Sequence, residues 1–445
     1  MKISRLMTAL LFAVGGMTLS AQAEEGRYVL MIKGNSMPAN LASQIQSAGG
    51  SLVRTLPQVN IAIATSSHPN FAAAAKAPGS VQDAGPAAVH SGPDGEIVEP
   101  HEDGPTPADA FFNAGWLWGI DRVHAPAAWA NGYNGEGTVV AVIDTGVASN
   151  HPDLGPNLVD NQCFASVPCL PYPSLSFHGT HVAGTVAGAF GHGQIVGVAP
   201  KAGIANYNVF EVIPGCGVCA FSDSRWAAML DAADKGYDVI NMSLGSLGQY
   251  GGGNSSGLAT FVAAEKKIAN YVRQRGTTMV ASAGNAGVDL NGTFINLPGG
   301  IPQIINVGAT AGRPRPRWAE GPAGFRIRAA YSNHGASVMV AGPGGDCNDQ
   351  PCSFATGTAN YLVISASVSP NAVCAATQSC GVGYAGSGGT SMAAPHVAGV
   401  AALIRQANPN ANPNQVAAKI KQSAENIGSL QEFGHGMVRA DHATQ

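Results

Sequence analysis

Val139-Val140-Ala141-Val142-Ile143-Asp144-Thr145-Gly146 decides how this chain folds. Five apolar, mostly β-branched residues in succession, without polar alternation, read as a strand buried on both faces. The carboxylate that follows is costly to bury without a partner. Taken alone, Asp144 is equally well explained by capture of the N–H groups of the next turn. Downstream, strand texture recurs over 204–210, 239–243, 278–282 and 304–308. Helix-compatible stretches separate these runs, over 178–189, 223–235 (with Ser222 or Asp223 as cap) and 258–275. Such alternation implies an α/β fold with a mostly parallel central sheet flanked by helices on both faces. Sites in these sheets lie at the carboxyl ends of strands. Asp144, Ser243-Leu244-Gly245 and Asn285 each follow a strand, so all three fall on that edge. Beyond Gly308 the alternation weakens. The basic, Pro-rich stretch from Ala311 to Trp318 reads as a surface loop.

Upstream the texture differs. Strands over 28–32, 51–55 and 59–64, helices over 39–48 and 71–76 and a strand near Val81 give β-α-β-β-α-β order. That is a small α+β module. From Gly85 to Pro107, Pro, Gly and acidic residues dominate. Asp94, Glu96, Glu99, Glu102 and Asp103 keep this linker solvated and open to proteolysis. At the start, Lys2 and Arg5 precede an apolar run over 6–19 and an Ala21-Gln22-Ala23 site. This is the pattern of a secretory signal peptide cut after Ala23, with no stable membrane anchor. The expected organisation is signal peptide 1–23, module 24–86, linker 87–115 and large domain 116–445. The expected destination is extracellular, or periplasmic in transit.

Of 445 residues only 11% are charged, 58 are Gly, and the net charge is −4. A disordered or coiled-coil chain is excluded, and a nucleic-acid partner is disfavoured. The eight cysteines form four sequence-local pairs: Cys163 and Cys169, Cys216 and Cys219, Cys347 and Cys352, Cys374 and Cys380. Neighbour pairing is the simplest expectation among roughly 105 connectivities. Cys216-Gly217-Val218-Cys219 has no second C-x-x-C to complete a zinc site, so a structural loop bridge is favoured.

Gly389-Thr390-Ser391-Met392-Ala393-Ala394-Pro395-His396 places a hydroxyl at the mouth of an apolar helix expected to begin near Ala393. Pro395 suits a first helical turn. Ser391 there is either an N-cap or a group served by the unpaired N–H groups of a helix start. His178 lies in His178-Gly179-Thr180-His181-Val182-Ala183-Gly184-Thr185. With His181, and His192 as a third ligand, a metal site is conceivable, but the glutamate of H-E-x-x-H is missing. Base chemistry is favoured for His178, and a packed core role for His181. Asp144, His178 and Ser391 occur in one of the three unrelated orders of the nucleophilic triad. The final glycine of G-x-S-x-G is absent, which argues against an α/β-hydrolase.

On these motifs, with Ala281-Ser282-Ala283-Gly284-Asn285-Ala286-Gly287, the chain resembles the subtilisin-like serine peptidases, the subtilases. The resemblance runs from about Trp116 through Gly434-His435-Gly436-Met437-Val438-Arg439-Ala440. The module from Tyr28 to about Pro86 is similar to the family's inhibitory propeptide. The resemblance implies a secreted, self-processed endopeptidase acting on protein or peptide substrates as a monomer. It implies Ser391 as nucleophile, His178 as general base and Asp144 as the orienting carboxylate. It also implies an oxyanion-binding amide at Asn285, and substrate contacts at Ser243, Leu244, Gly245, Ala283 and Gly284. The chemistry needs no cofactor. Asp153 matches a family ligand for structural calcium, although Gly191 stands where an amide ligand is common. The propeptide would be the chain's own intramolecular inhibitor. The same acyl-transfer machinery would serve an esterase, and a non-catalytic binding protein could keep the same fold.

Overall fold

A computed structural model describes residues 25–92, 108–169, 176–250, 255–312, 328–347, 361–369 and 381–445. The expected leader at 1–23, most of the acidic linker, the core of the basic Pro-rich stretch, and Cys352, Cys374 and Cys380 lie outside these residues.

The amino-terminal module is a four-stranded antiparallel sheet in the order β2-β3-β1-β4. Its elements are β1 (Gly26–Ile32), α1 (Leu41–Ser47), β2 (Ser51–Leu56), β3 (Ile61–Ser66), α2 (Phe71–Lys76) and β4 (Val81–Pro86). The strand expected to begin at Val59 begins at Ile61. Pro57–Val59 coils into a 3₁₀ turn and Asn60 takes a left-handed conformation, φ 48°. Strand alternation sorts the side chains to two faces. Leu30, Ile32, Ala62 and Ala64 pack under the module's own helices with Leu41, Ile45 and Phe71. Val29, Ile61 and Ile63 face the other way and join a core of the large domain.

The stretch expected as linker opens with a strand of three residues, β5 (Val89–Ser91). It pairs antiparallel with β10 (Gly217–Phe221), which pairs in turn with β9 (Glu211–Ile213). The same stretch ends in a short helix, Ala110–Asn113, whose Phe111 is 2% exposed and stacks on Trp116.

In the large domain, seven parallel strands run in the order β16-β15-β13-β11-β6-β8-β7. They are β6 (Val139–Asp144), β7 (Leu158–Cys163), β8 (Gly203–Asn208), β11 (Val239–Met242), β13 (Thr278–Ser282), β15 (Ile305–Thr310) and β16 (Val340–Pro343). The opening stretch shows why both faces are covered. Val140 and Val142 point to one core, shared with α3 (His178–Ala187), α6 (Thr390–Ala407) and α7 (Pro413–Ser423). Ala141 and Ile143 point to the other, shared with α4 (Ser222–Asp234) and α5 (Ser255–Gln274). Two short antiparallel ribbons flank the sheet: β12 (Ser246–Gln249) with β14 (Phe294–Leu297), and β17 (Val363–Ser369) with β18 (Gly381–Ser387). β16 is therefore a true parallel member lying beyond the point where the sequence alternation fades.

Cys163 bonds Cys169 and Cys216 bonds Cys219, both as sequence neighbours. Cys347 is also disulfide-bonded. No helix among the described residues is long and apolar enough to cross a membrane.

Candidate active site

From β6 the strand order runs one way to β11, β13, β15 and β16, and the other way to β8 and β7. Such a reversal opens a crevice at the carboxyl ends of the strands on either side. Asp144 ends β6, Ser243 follows β11 and Asn285 follows β13, so the expected residues flank one crevice.

Asp144 is fully buried. Its Oδ1 accepts the Thr145 N–H at 2.7 Å and the His178 Nδ1–H at 2.8 Å. An ionised carboxylate only accepts, so Nδ1 carries the proton and Nε2 of the neutral ring is bare. Nε2 has no hydrogen-bond partner. Two contacts fix the start of α3 against the end of β6: Thr145 Oγ1 accepts from Gly179 N at 2.9 Å, and Ala148 N donates to Thr180 Oγ1 at 3.1 Å. The close approach demands glycine at 179, where a Cβ would stand 2.4 Å from the Gly146 carbonyl oxygen. Ser176 Oγ accepts from His178 N at 3.2 Å, and Phe177 sets its ring edge-on to the imidazole. Neither neighbour was singled out in the sequence.

Ser391 is the second residue of α6, which starts at Thr390, upstream of the expected Ala393. Gly389 O already accepts from Met392 N at 3.0 Å, closing the first turn earlier. Ser391 does not cap this helix. Its hydroxyl donates to the Ser243 carbonyl at 3.1 Å, while the Ser243 hydroxyl donates to the Ser391 carbonyl at 2.7 Å. Pro395 explains the second bond. It has no N–H for the carbonyl four residues back, which leaves Ser391 O free to accept from Ser243. Ser391 and His178 are not hydrogen-bonded to one another here. His396, one turn on, donates Nδ1–H to Met392 O, and burial pushes its pKa down to about 4.

The Asn285 amide is held in one sense. Its Oδ1 accepts from Thr390 N at 2.9 Å and Thr390 Oγ1 at 2.7 Å. The backbone N–H can only donate, so the atom it meets is the oxygen and Nδ2 faces away from it. A Cβ built on Gly389 would stand 3.4 Å from Asn285 Nδ2 and 3.6 Å from Ser391 N, so two donors border one small volume. Asn333, missed in the sequence, braces this loop. Its Oδ1 accepts from Ala286 N and Val288 N, and its Nδ2 donates to Ala283 O at 2.8 Å. Ser243, Leu244, Gly245, Gly284, Asn285 and Ser391 line a cleft of about 500 Å³. Ala283 does not line it. That residue is buried, with its N–H on Val307 O and its carbonyl on Asn333.

His181 is a core residue. Its Nε2 lies 3.0 Å from Val363 O and 3.1 Å from Ala385 O, and burial pushes its pKa down to about 3. Asp153 is buried, and its two carboxylate oxygens differ: Oδ2 accepts from the Tyr384 hydroxyl at 2.9 Å and Gln194 N at 3.3 Å, while Oδ1 has no hydrogen-bond partner. A Cβ on Gly193 would stand 2.4 Å from both carboxylate oxygens, which shows how closely the backbone of that loop covers them. Among the described residues no group of three or more His, Cys, Asp or Glu gathers to hold a metal ion.

The chain is 34% identical over 330 residues to subtilisin Savinase of Lederbergia lenta, covering 74% of this chain and 98% of that one. It is 32% identical over 336 residues to alkaline elastase YaB of Bacillus sp. (strain YaB), covering 74% and 70%. Among solved structures, fervidolysin of Fervidobacterium pennivorans, a keratinolytic enzyme related to subtilisin, superposes with a TM-score of 0.70 at 24% identity. That match covers 96% of this chain and 62% of the other. The epidermin leader peptide processing serine protease of Staphylococcus aureus gives 0.71 at 20% identity, covering 95% and 98%. These two likenesses speak for the fold alone. The subtilase family pattern matches residues 135–436, and the chain therefore belongs to the subtilase family of serine peptidases.

Proposed function

We propose that this chain is a serine endopeptidase made as a self-processed zymogen, with Ser391 as nucleophile, His178 as base and Asp144 as orienting carboxylate. One observation carries the assignment: the buried Asp144–His178 contact leaves Nε2 without a partner, while Ser391 and Asn285 line one cleft at the same edge of the sheet. In the reaction, rotation of the Ser391 side chain moves its hydroxyl from the Ser243 carbonyl to His178 Nε2. Nε2 takes the proton as Oγ attacks the peptide carbonyl. The imidazolium, stabilised by Asp144, then protonates the leaving amine, and the C–N bond breaks to give the acyl-enzyme. Water repeats the sequence to release the acid. Asn285 Nδ2 and the Ser391 N–H stabilise the tetrahedral oxyanion. Ser243-Leu244-Gly245 pair with the substrate backbone as an added strand.

The amino-terminal module is the inhibitory propeptide. Val89, Ser91 and Gly92 line the same cleft as Ser391, which supports a strand lying where substrate lies. The self-processed bond then falls beyond Gly92, within 93–107. The disulfides support an oxidising destination outside the cytoplasm, in keeping with the leader. The test is labelling of Ser391 by a fluorophosphonate, with hydrolysis of casein and conversion of precursor to mature enzyme. The Ser391→Ala chain should neither label nor mature in purified form. A folded wild type that takes no label sinks the assignment.

A further inference from the structure

β5 occupies the cleft side-on. Val89 and Ser91 line the open cleft, while His90, between them, turns the other way and is completely buried. The ladder with β10 sets His90 opposite Ala220, and Ala88 O accepts from Ser222 N at 3.1 Å. Gly92 lies so close to the Val218 carbonyl oxygen that a Cβ would stand 2.2 Å away, which holds the register of the strand.

The pocket that receives His90 is made by Arg225 of α4 and Glu265 of α5, both fully buried. Their charges answer each other. Arg225 Nη1 and Nη2 donate to the two Glu265 oxygens, and Trp226 Nε1 donates to the same carboxylate. One donor of this closed set points outward: Arg225 Nε meets His90 Nε2 at 3.2 Å. That imidazole nitrogen must be a lone pair, since guanidinium only donates. Burial first, and the Arg225 guanidinium second, hold the His90 pKa well below its usual range, so the ring stays neutral.

We propose that the Arg225–Glu265 pocket is a side-chain subsite that selects a neutral hydrogen-bond acceptor, such as the imidazole it holds here, at the substrate residue lying opposite Ala220. The inference rests on the peptidase assignment and goes beyond it by naming a specificity determinant. An aliphatic occupant leaves Arg225 Nε buried without an acceptor. An ammonium or guanidinium occupant offers no lone pair and meets a fixed cation. An imidazole gains a charge-assisted bond at Nε2 and leaves its buried Nδ1–H without a partner, so its net advantage over an aliphatic side chain corresponds to roughly tenfold in affinity.

The test is competition. Peptides of the sequence 87–92, with His, Gln, Leu or Lys in the place of His90, are set against hydrolysis of a small ester by the mature enzyme obtained from the full chain. The His peptide should inhibit with a Ki about tenfold below those of the Leu and Lys peptides. In the double variant Arg225→Leu/Glu265→Leu, which removes both charges together, the order should invert with Leu ahead of His. Equal or tighter inhibition by the Leu peptide in wild type overturns the proposal, as does an unchanged order in a double variant that still hydrolyses the ester. The wild-type comparison decides even if that variant fails to fold. Should the folded wild type hydrolyse no ester and take no fluorophosphonate, the peptidase assignment fails instead. The pocket is then read on the full chain by amide exchange of Val89 to Gly92. His90→Leu should speed exchange about tenfold and His90→Gln should not, and equal exchange in the two variants rejects the subsite.

Discussion

Asp144 and Asp223 are both wholly buried at the functional edge of the large domain, and each is answered by a cation or potential cation from elsewhere in the sequence. Asp144 meets His178 across 34 residues, within one domain. Asp223 meets Arg27 through two bonds of 2.8 Å across 196 residues, and Arg54 at 3.3 Å. Both arginines belong to the amino-terminal module. The first pair is built into the large domain. The second joins the module to the large domain at the first turn of α4, where a carboxylate also suits the helix dipole. A third buried aspartate, Asp153, meets no cation close enough to pair well: the nearest, His151 Nδ1, lies 3.8 Å away. Burial of His151 pushes that ring's pKa down to about 4, so it is neutral. Burial therefore pushes Asp153 up to about 6, against the pull of the Tyr384 hydroxyl and neighbouring N–H groups. The same residue type at the same burial is thus answered by an imidazole, by guanidinium groups or by hydroxyl and N–H donors, according to what the fold brings to face it.

The strongest way to break this comparison is at the residues proposed for catalysis, His178 and its partner nucleophile Ser391. Replacing Ser391 or His178 by Ala should lower kcat/KM on peptide substrates by about 10⁶-fold, because members of such a unit fail together. Steady-state hydrolysis of a fluorogenic peptide measures it, and a loss under a hundredfold would remove that residue from the mechanism. Asn285→Ala should lower kcat by roughly 10²–10³-fold with little change in KM, as expected of a donor that acts on the oxyanion alone. An equal rise in KM would make Asn285 a binding group instead.

Asp153 sharpens the contrast through pH. Its folded pKa of about 6 lies above its ordinary value of 3.8, so the unfolded chain gives up its proton first as pH rises. Stability is then lost between about pH 4 and pH 6, by about 3 kcal/mol in all, and the loss is complete above that window. Asp153→Asn has no such titration. In an inactive Ser391→Ala background, its melting temperature relative to the Asp153 chain should climb across the same window and level off above it. A pH-independent difference would mean that Asp153 is ionised throughout.

The docking pair predicts the smallest effect. Arg27→Ala in the full Ser391→Ala chain should loosen the module by about 1.5–3 kcal/mol, the worth of charge-assisted bonds whose carboxylate is left partly unpaired. Hydrogen exchange should rise in β1 to β4 and not in β6 or β13. A rise across both regions would mean that the module and the large domain unfold as one.

Much of this was legible before any coordinates. The uninterrupted apolar run ahead of Asp144 announced a two-sided strand, because a buried parallel strand has no polar face to show. The glycine beside His178 was compatible with a close backbone approach, which the structure shows at Gly179 against the Gly146 carbonyl. The module's six elements could be ordered by periodicity, though β3 slid by two residues because Pro57–Val59 formed a turn that propensity alone did not reveal. Asn333 was invisible, since a single asparagine in an irregular stretch carries no pattern. β5 was hidden in a Pro/Gly-rich stretch, because three residues are too few to show alternation.

The sequence by itself determined the family motifs around Asp144, His178, Ser391 and Asn285, and the order of strands and helices that carry them. These depend on side-chain type and on short-range periodicity, which a chain holds before it folds. Only the tertiary structure decided which buried charges meet. The ring tautomer of His178, the orientation of the Asn285 amide, the bond between Ser243 and the carbonyl freed by Pro395, and the Arg225–Glu265 pocket over His90 all join groups far apart in sequence. Their energies depend on distance and desolvation, which no local pattern encodes.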